Sequence, residues 1–422
     1  MHATAVPAVS LKSDANFRWL LRGGIVSSVG DQLTIVALPL LVLQLSSDPM
    51  ALGTVIALMG LPRAVFLLIG GALVDRWSPR GVLMASKLAN AILLGALTVL
   101  VLGARAPSLA TVGALAFCLG LAQAFGIPAG TAIMPSALPR SLLEQANGAL
   151  MGVRQLAMLA GPLLAAVLLG LSRHGLALAF AIDCASFIVS AWTLARVVTH
   201  AAPAQAAPHS VWHEVQEGLR MAWRDVPLRL CLMYWAVVSL SIGGVMQVAL
   251  PLLASDVFNG GTTLGWFLGA HGGGMLLGMA TAALGGKRLV RFGRAILLLD
   301  GAAGVLVAPL GLTGNAWLVA ALLLGLGGLS GFLQITVYTW IQRRVPVAMM
   351  GRAMSLFMFI VLGLAPLSAL AAGWLLTWIA LPTLFVAGGA MLVGLAAAAW
   401  LFTPLRAILA DPHQGTPLPP SV

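Results

Sequence analysis

Charge is what this chain has least of. Only 8% of its 422 residues are Asp, Glu, Lys or Arg, against 60% apolar. A soluble domain carries about a quarter charged residues to solvate its surface, so a water-soluble globule is excluded. Ala106 to Pro139, Gly301 to Gln342 and Ala353 to Leu405 hold no charged residue at all. A membrane-crossing helix takes roughly 20 apolar residues, so the two longer stretches each hold two. Cysteine is scarce too. Cys118, Cys184 and Cys231 lie singly in apolar segments, without the paired spacing that a disulfide framework or a zinc site requires. No Walker A stretch occurs, so ATP is not the expected energy source. Gly269-Ala-His-Gly-Gly-Gly274 sits within an apolar run and follows no strand, which makes its glycines packing residues. No cofactor is called for, no metal-ligand spacing is found, and no catalytic constellation points to an enzyme.

Acidic residues are half as common as basic ones, 12 against 23, for a net charge of +11. The basic residues are spread over short loops without a stripe of interleaved aromatics, which speaks against nucleic acid. Hydropathy predicts twelve helices. The first six cover 20–45, 51–74, 82–103, 107–130, 146–170 and 176–197. The second six cover 229–254, 262–284, 293–312, 315–337, 351–375 and 380–402. The expected organisation is a tail (1–19), a six-helix bundle (20–197), a linker (198–228), a second bundle (229–402) and a disordered Pro-rich tail (403–422). The basic N-terminal stretch precedes an apolar run too long for a signal core and without a cleavage site, so it is expected to be a retained first helix. In the linker, Trp212, Val215, Leu219 and Trp223 share one helical face, the pattern of an amphipathic helix at a membrane surface.

Lys and Arg orient the molecule. With the N-terminus inside, only Arg105 and Arg173 fall in outer loops and Arg63, Lys87 and Arg154 within helices; the rest of the 23 lie on the cytoplasmic side. Both termini are therefore expected in the cytoplasm, and the protein in a bacterial inner membrane. The halves read as repeats. Leu138-Pro139, Asn147-Gly148 and Gly161-Pro162 in the first match Val345-Pro346, Gly351-Arg352 and Ala365-Pro366 in the second, and a basic loop follows the second helix of each half. Two six-helix bundles with a site between them are a transporter architecture.

Gly71-Ala-Leu-Val-Asp75-Arg76-Trp-Ser-Pro-Arg80 resembles the loop motif G-x-L-a-D-r-x-G-r-k of the major facilitator superfamily. Gly71, Leu73, Asp75, Arg76 and Arg80 match, while Ser78 and Pro79 depart from it. The second-half copy is degenerate, with Val290 at the acidic position. The resemblance implies an all-α fold of two pseudo-symmetric six-helix bundles. It also implies a latch in which small residues let helices two and eleven approach and Asp75 sits near a helix N-terminus, where the dipole favours negative charge. Gly148, Ala157, Gly161-Pro162 and Ala165-Ala166 resemble the antiporter motif G-x8-G-x3-G-P-x2-G-G, with alanine at three glycine places. Glu217-Gly-Leu-Arg-Met-Ala-Trp-Arg-Asp-Val-Pro-Leu-Arg229 is similar to the branch holding macrolide-efflux and enterobactin-exporter proteins. That implies proton-driven export of small amphipathic molecules by a monomer in the bilayer. A lipid, sugar or other nutrient carrier stays open as an alternative, as does a non-transporting sensor or scaffold.

A charge in the bilayer centre costs roughly 2.5–3.5 kcal/mol on insertion scales, so each one is a site candidate. Asp31 lies about fourteen residues from the predicted outer end of its helix and Arg63 about twelve from that of its own, which places them at one depth at about 1.5 Å per residue. Asp31 is expected to take a proton or a cationic substrate, with Arg63 as counter-charge; a fixed structural ion pair is the alternative. Asp183 and Asp300 are weaker candidates, within two to three turns of a helix end and open to water or loop cations; Asp300 could pair with the 287–294 cluster. Histidine as a residue type titrates near neutral pH, which suits proton coupling, but His271 has small neighbours and could simply be packed. Lys87 and Arg154 are expected to snorkel to the cytoplasmic side. By resemblance, Gln32, Gln123, Trp235 and Gln247 are cavity-lining candidates.

Overall fold

The computed structural model describes residues 11–76, 78–103, 106–199, 211–258, 260–285, 291–346 and 349–409, with the side chains of 67–76, 140, 211–215, 285 and 351 left out. Among the described residues, twelve helices are long and apolar enough to cross a membrane. They are α1 (Ala15–Leu45), α2 (Pro49–Arg76), α3 (Pro79–Leu102), α4 (Leu109–Ala137), α5 (Leu143–Leu171), α6 (Gly175–Ala195), α8 (Val226–Val257), α9 (Gly261–Gly285), α10 (Phe292–Gly311), α11 (Ala316–Arg344), α12 (Met350–Leu375) and α13 (Leu381–Phe402). The linker adds α7 (Val211–Arg224). All-helical spans follow from the solvent, because lipid offers no partner to a backbone N–H or C=O.

Local chemistry sets the ends. Asp14 caps α1 by accepting from Phe17 N at 2.8 Å, so the helix begins at Ala15 rather than near residue 20. Ser78, Ser108, Asp225 and Asn315 cap α3, α4, α8 and α11 in the same way. α4 and α11 run about two turns past their predicted ends. Ile133, Met134 and Ala137 of the one, and Trp340 and Ile341 of the other, are buried in their bundles, so burial sustains the helix beyond the membrane-length segment. α8 is regular only in part. It contains π-helical stretches at Val245–Ala249 and Leu253–Val257, on either side of Pro251, which has no N–H to donate to the preceding turn.

The termini of α1, α6, α8 and α13 that adjoin the N-terminal segment, the linker and the C-terminal segment lie on one face, here the terminal face. α5 packs on α9, and α2 on α12. On the half toward the opposite face these seams are too close for side chains: Gly53 abuts Ala369 and Gly373, Gly60 abuts Pro366, and Gly265 abuts the Pro162 carbonyl. One apolar core there joins residues of both bundles, including Leu33, Leu40 and Leu52 with Leu253, Leu264 and Phe267. On the terminal face the core divides. Phe17, Met134, Leu138 and Leu194 form one cluster and Leu228, Phe292, Trp340 and Leu405 another. The face of α5 that carries Met158 and Pro162 onto α9 continues to Gly148, which has nothing within 4 Å, and Met151, which is 60% exposed. The bundles are joined toward the opposite face and parted at the terminal face.

α7 runs along the terminal face of the second bundle. Gly218 and Ala222 are buried, with Gly218 against Arg352 of α12, while Leu219 and Trp223 are exposed. Trp212 and Val215 lie outside the described side chains. Two ion pairs tie the helix region down: Arg352–Glu217 at 2.8 Å and Arg344–Asp225 at 2.8 Å. They border a cleft of about 820 Å³ that also holds Arg220 and Arg224. Asp225 accepts from Arg344 Nε and from Leu228 N. Asp225→Ala is expected to cost roughly 1–2 kcal/mol, a helix cap plus a part-exposed ion pair. A lower melting temperature of the purified protein, with transport largely retained, is the expected readout.

Candidate functional site

Most of the charges within the membrane-crossing helices are gathered in the first bundle. Asp31 is midway along α1, Arg63 midway along α2, and Asp183 close to the middle of α6. Asp183 is fully buried; Thr34 Oγ1 donates to its Oδ2 at 2.5 Å and Ser186 Oγ to its Oδ1 at 3.0 Å. Its expected access from a helix end is therefore corrected: the carboxylate faces α1, and Asp31 is its nearest charged influence. Gly30 makes this approach possible, since a Cβ there would strike Asp183 Oδ1 and Ser186 Oγ.

Asp31 itself is only partly buried and accepts no hydrogen bond from any described residue. Three cations act on it, Lys87 most strongly, then Arg63 and Arg154. The expected contact pair of Asp31 and Arg63 is not formed. Arg63 Nη1 donates instead to Gln123 Oε1 at 3.3 Å, and Arg63 Nε is buried without a partner among the described residues. Lys87 does not snorkel outward. Its ammonium donates to Ser190 Oγ on α6 at 2.5 Å and lies 5.9 Å from the Phe187 ring centre. Arg154 is exposed yet lies within electrostatic range of Asp31, which places it toward the interior of the bundle pair.

Sequence reasoning missed Lys87, Ser186 and Ser190 as parts of this cluster. The signal was present: Asp183, Ser186, Ser190 and Thr193 are spaced 3, 4 and 3 along α6, one polar stripe on an otherwise apolar helix. What spacing does not contain is the neighbour that the stripe meets.

The other candidates lie elsewhere. Gln32 packs against Gly161 of α5, while Pro162 presents its carbonyl to Gly265 of α9, so the Gly161-Pro162 step touches both bundles. In the second bundle, Trp235 lies 5.1 Å from Phe357, whose other neighbour is Tyr338 at 5.3 Å. This apolar aromatic wall belongs to α8, α11 and α12. Gln247, in the first π-helical stretch, forms no side-chain hydrogen bond with any described residue. Asp300 is 5% exposed and stands beside Tyr234, although its Oδ2 and the tyrosine hydroxyl both lack a well-formed bond. Its suggested pairing with the 287–294 cluster falls partly on residues 286–290, which lie outside the described ones; within the described part, Arg294 stacks 5.9 Å from Trp400. His271 lies against the Leu323 backbone of α11, its Nδ1 buried without a partner. Of the Gly71–Arg80 motif, the backbone of Gly71, Leu73, Asp75 and Arg76 is helical and their side chains are outside the description. Arg80 Nη2 donates to Ala195 O at 2.7 Å, tying α3 to the end of α6.

The geometry is a polar cluster at mid-depth in one bundle and an aromatic cluster in the other, in a molecule open at one face. Comparison with known proteins agrees with a transporter. The family model described as Major Facilitator Superfamily matches residues 20–369. The multidrug efflux pump Tap of Mycolicibacterium fortuitum is 29% identical over 372 residues, 84% of this chain and 87% of that protein. The enterobactin exporter EntS of Citrobacter koseri is 26% identical over 353 residues, 81% of this chain and 80% of that one. Among solved structures, the nucleoside transporter NupG superposes with a TM-score of 0.70 at 12% identity, over 90% of this chain and 97% of NupG. A bacterial homologue of the iron transporter ferroportin in its inward-facing state gives 0.63 at 18%, over 92% and 98%. With twelve membrane-crossing helices and bacterial transporters for relatives, this is a multi-pass bacterial inner-membrane protein and not an enzyme. The chain belongs to the Major Facilitator Superfamily, as a secondary transporter.

Proposed function

We propose that the protein exports small amphipathic molecules by alternating access, in exchange for protons, with Asp31 as the coupling carboxylate. The observation that carries the reading is Asp31 itself: a mid-membrane carboxylate with no hydrogen-bonding partner among the described residues, part-accessible, and held among three cations. A carboxylate kept only for packing would be bonded as Asp183 is, because an unsatisfied polar group is costly in lipid. The excess of Lys and Arg in the loops of the terminal face supports a cytoplasmic orientation for it, and on that reading the parted bundles are an inward-open state. An exporter loads from that side. The part-exposed Trp235 and Tyr338 rings, backed by the buried Phe357, suit a flat apolar cargo. Relatives named for drug efflux and for enterobactin export support the outward direction. The Gly71–Arg80 loop serves as the cytoplasmic latch of the opposite state, and Asp300 and His271 lie apart from the coupling cluster.

Inverted vesicles carrying the protein and energised with a pH gradient test this with lipophilic cationic dyes, macrolides and catecholate siderophores. Uptake that collapses with a protonophore supports the reading. Uptake of a compound that persists unchanged with the gradient removed would instead indicate a uniporter. Arg63→Ala should lower gradient-driven uptake at least tenfold, since it frees Gln123 and removes one of the charges facing Asp31. Full activity in that variant would take Arg63 out of the mechanism.

A further inference from the structure

Resting on the reading of Asp31 as the coupling carboxylate, we infer that Lys87 is its mobile counter-cation, alternating between Ser190 and Asp31 as Asp31 gains and loses a proton. The starting point is Lys87's place. A lysine eight residues inside a membrane helix has an easy escape to the cytoplasmic interface along its own stem. Here it turns into the bundle instead, where Ser190 Oγ accepts its proton. Ser190 Oγ in turn donates to Gly23 O on α1 at 3.0 Å. One hydrogen-bonded chain thus links α3, α6 and α1.

Gly23 is eight residues below Asp31, roughly 12 Å along the helix axis at 1.5 Å per residue. The Asp31 side chain tilts toward the helix N-terminus and so toward Lys87. Of the three cations that act on Asp31, Lys87 acts most strongly, yet it is bonded elsewhere. That is the arrangement of a cation with two stations. Ser190 and the Phe187 ring form the lower one, and the unpartnered Asp31 carboxylate forms the upper one.

Two of the remaining charges at this depth are bonded in place. Asp183 is held by Thr34 and Ser186, and Arg63 by Gln123. Arg154 approaches from α5, and α4 contributes no charged residue. The Lys87 ammonium sits at the end of a flexible four-carbon stem and can leave the neutral Ser190 hydroxyl for a charged acceptor. With Asp31 protonated, Lys87 keeps the lower station seen in this terminal-face-open state. When the proton leaves to the cytoplasm, the bare carboxylate draws Lys87 upward and its bond to Ser190 is broken, so α3 shifts against α6 and the fit of the first bundle to the second in the inward-open state changes. A two-state equilibrium shifts by the difference between the two stations.

The test needs no substrate. Spin labels are placed at Q145C on α5 and L284C on α9, both exposed near the terminal face, in a background with Cys118, Cys184 and Cys231 replaced. The protein is reconstituted in nanodiscs and the interlabel distance is read from pH 5 to 9. The wild-type background should pass from long to short distances as pH rises, with at least a tenfold change in population ratio. K87Q should abolish that change and K87R should keep it. S190A weakens the lower station and should move the midpoint about one pH unit lower, the size of a charged hydrogen bond. If K87Q is unstable, because it strands Asp31, the D31N/K87Q pair restores stability by removing both charges, and S190A still decides. A wild-type response in K87Q or an unmoved midpoint in S190A, with D31N flat, overturns the role of Lys87 and leaves Asp31 standing. A wild-type response in D31N overturns the underlying reading itself.

Discussion

Asp31→Asn is expected to abolish gradient-driven uptake into inverted vesicles, by a hundredfold or more, in a protein that inserts and folds normally. The amide fills the same space, so packing of α1 against α5 and α6 is unchanged. The site loses its one freely protonatable oxygen pair, because Asp183 is buried and already bonded by Thr34 and Ser186. Three cations then face a neutral side chain, and no proton cycle can compensate them in turn. Energy-independent exchange of substrate between internal and external pools should survive, since it requires only the two open states. Measuring both fluxes on the same vesicles separates loss of coupling from loss of the protein. Coupled uptake that persists in Asp31→Asn with its normal pH dependence would move the coupling role away from this residue.

Gly272→Val and Gly148→Val are expected to shift the molecule in opposite directions. A Cβ at Gly272 would lie 2.5 Å from the Met158 carbonyl oxygen and 3.2 Å from Leu159 Cα. Both are backbone atoms that cannot rotate aside. Overpacking of this kind costs typically 1–3 kcal/mol, charged here to one state alone, because the α5–α9 seam is tight toward the opposite face and open at the terminal face. A two-state equilibrium moved by that amount changes about 5- to 150-fold. The same spin-label pair at 145 and 284 should therefore shorten in Gly272→Val, and transport should fall at least tenfold. Gly148 lies on the same face of α5 with nothing within 4 Å. Valine there leaves this state untouched and obstructs the one in which the terminal face closes, so the long distance should become fixed at all pH values. Identical distances in both variants and the parent would mean that the seam does not govern the transition.

Much of the architecture was legible in the chain itself. Charge-free stretches and hydropathy fix the number of spans, because lipid tolerates only helices with their backbone bonds closed internally. Glycines spaced along α2, α5, α9 and α12 announced close helix contact, and Gly161-Pro162 does touch α9 and α1. Asp31 and Arg63 stood out as mid-membrane charges, and both are at mid-depth. For each of these the controlling physics is a property of one helix: its length, its composition, or the cost of a charge at a given depth.

Partners were not legible, for a physical reason. A helix sequence gives depth well and rotation poorly, and hydrogen bonding depends on rotation. Arg63 and Asp31 share a depth, yet the guanidinium meets Gln123 of α4. Lys87 has a stem long enough to reach the interface, and the sequence alone could not show that Ser190 offers a nearer acceptor. Asp183 and Asp300 seemed equally placed by distance from a helix end, but one is enclosed by Thr34 and Ser186 and the other stands beside Tyr234. The sequence by itself determined a twelve-helix membrane protein with costly charges at its centre, since desolvation acts on each residue singly. Only the tertiary structure decided which of those charges stand together and which face of the molecule is open, because both depend on how the twelve helices are turned toward one another.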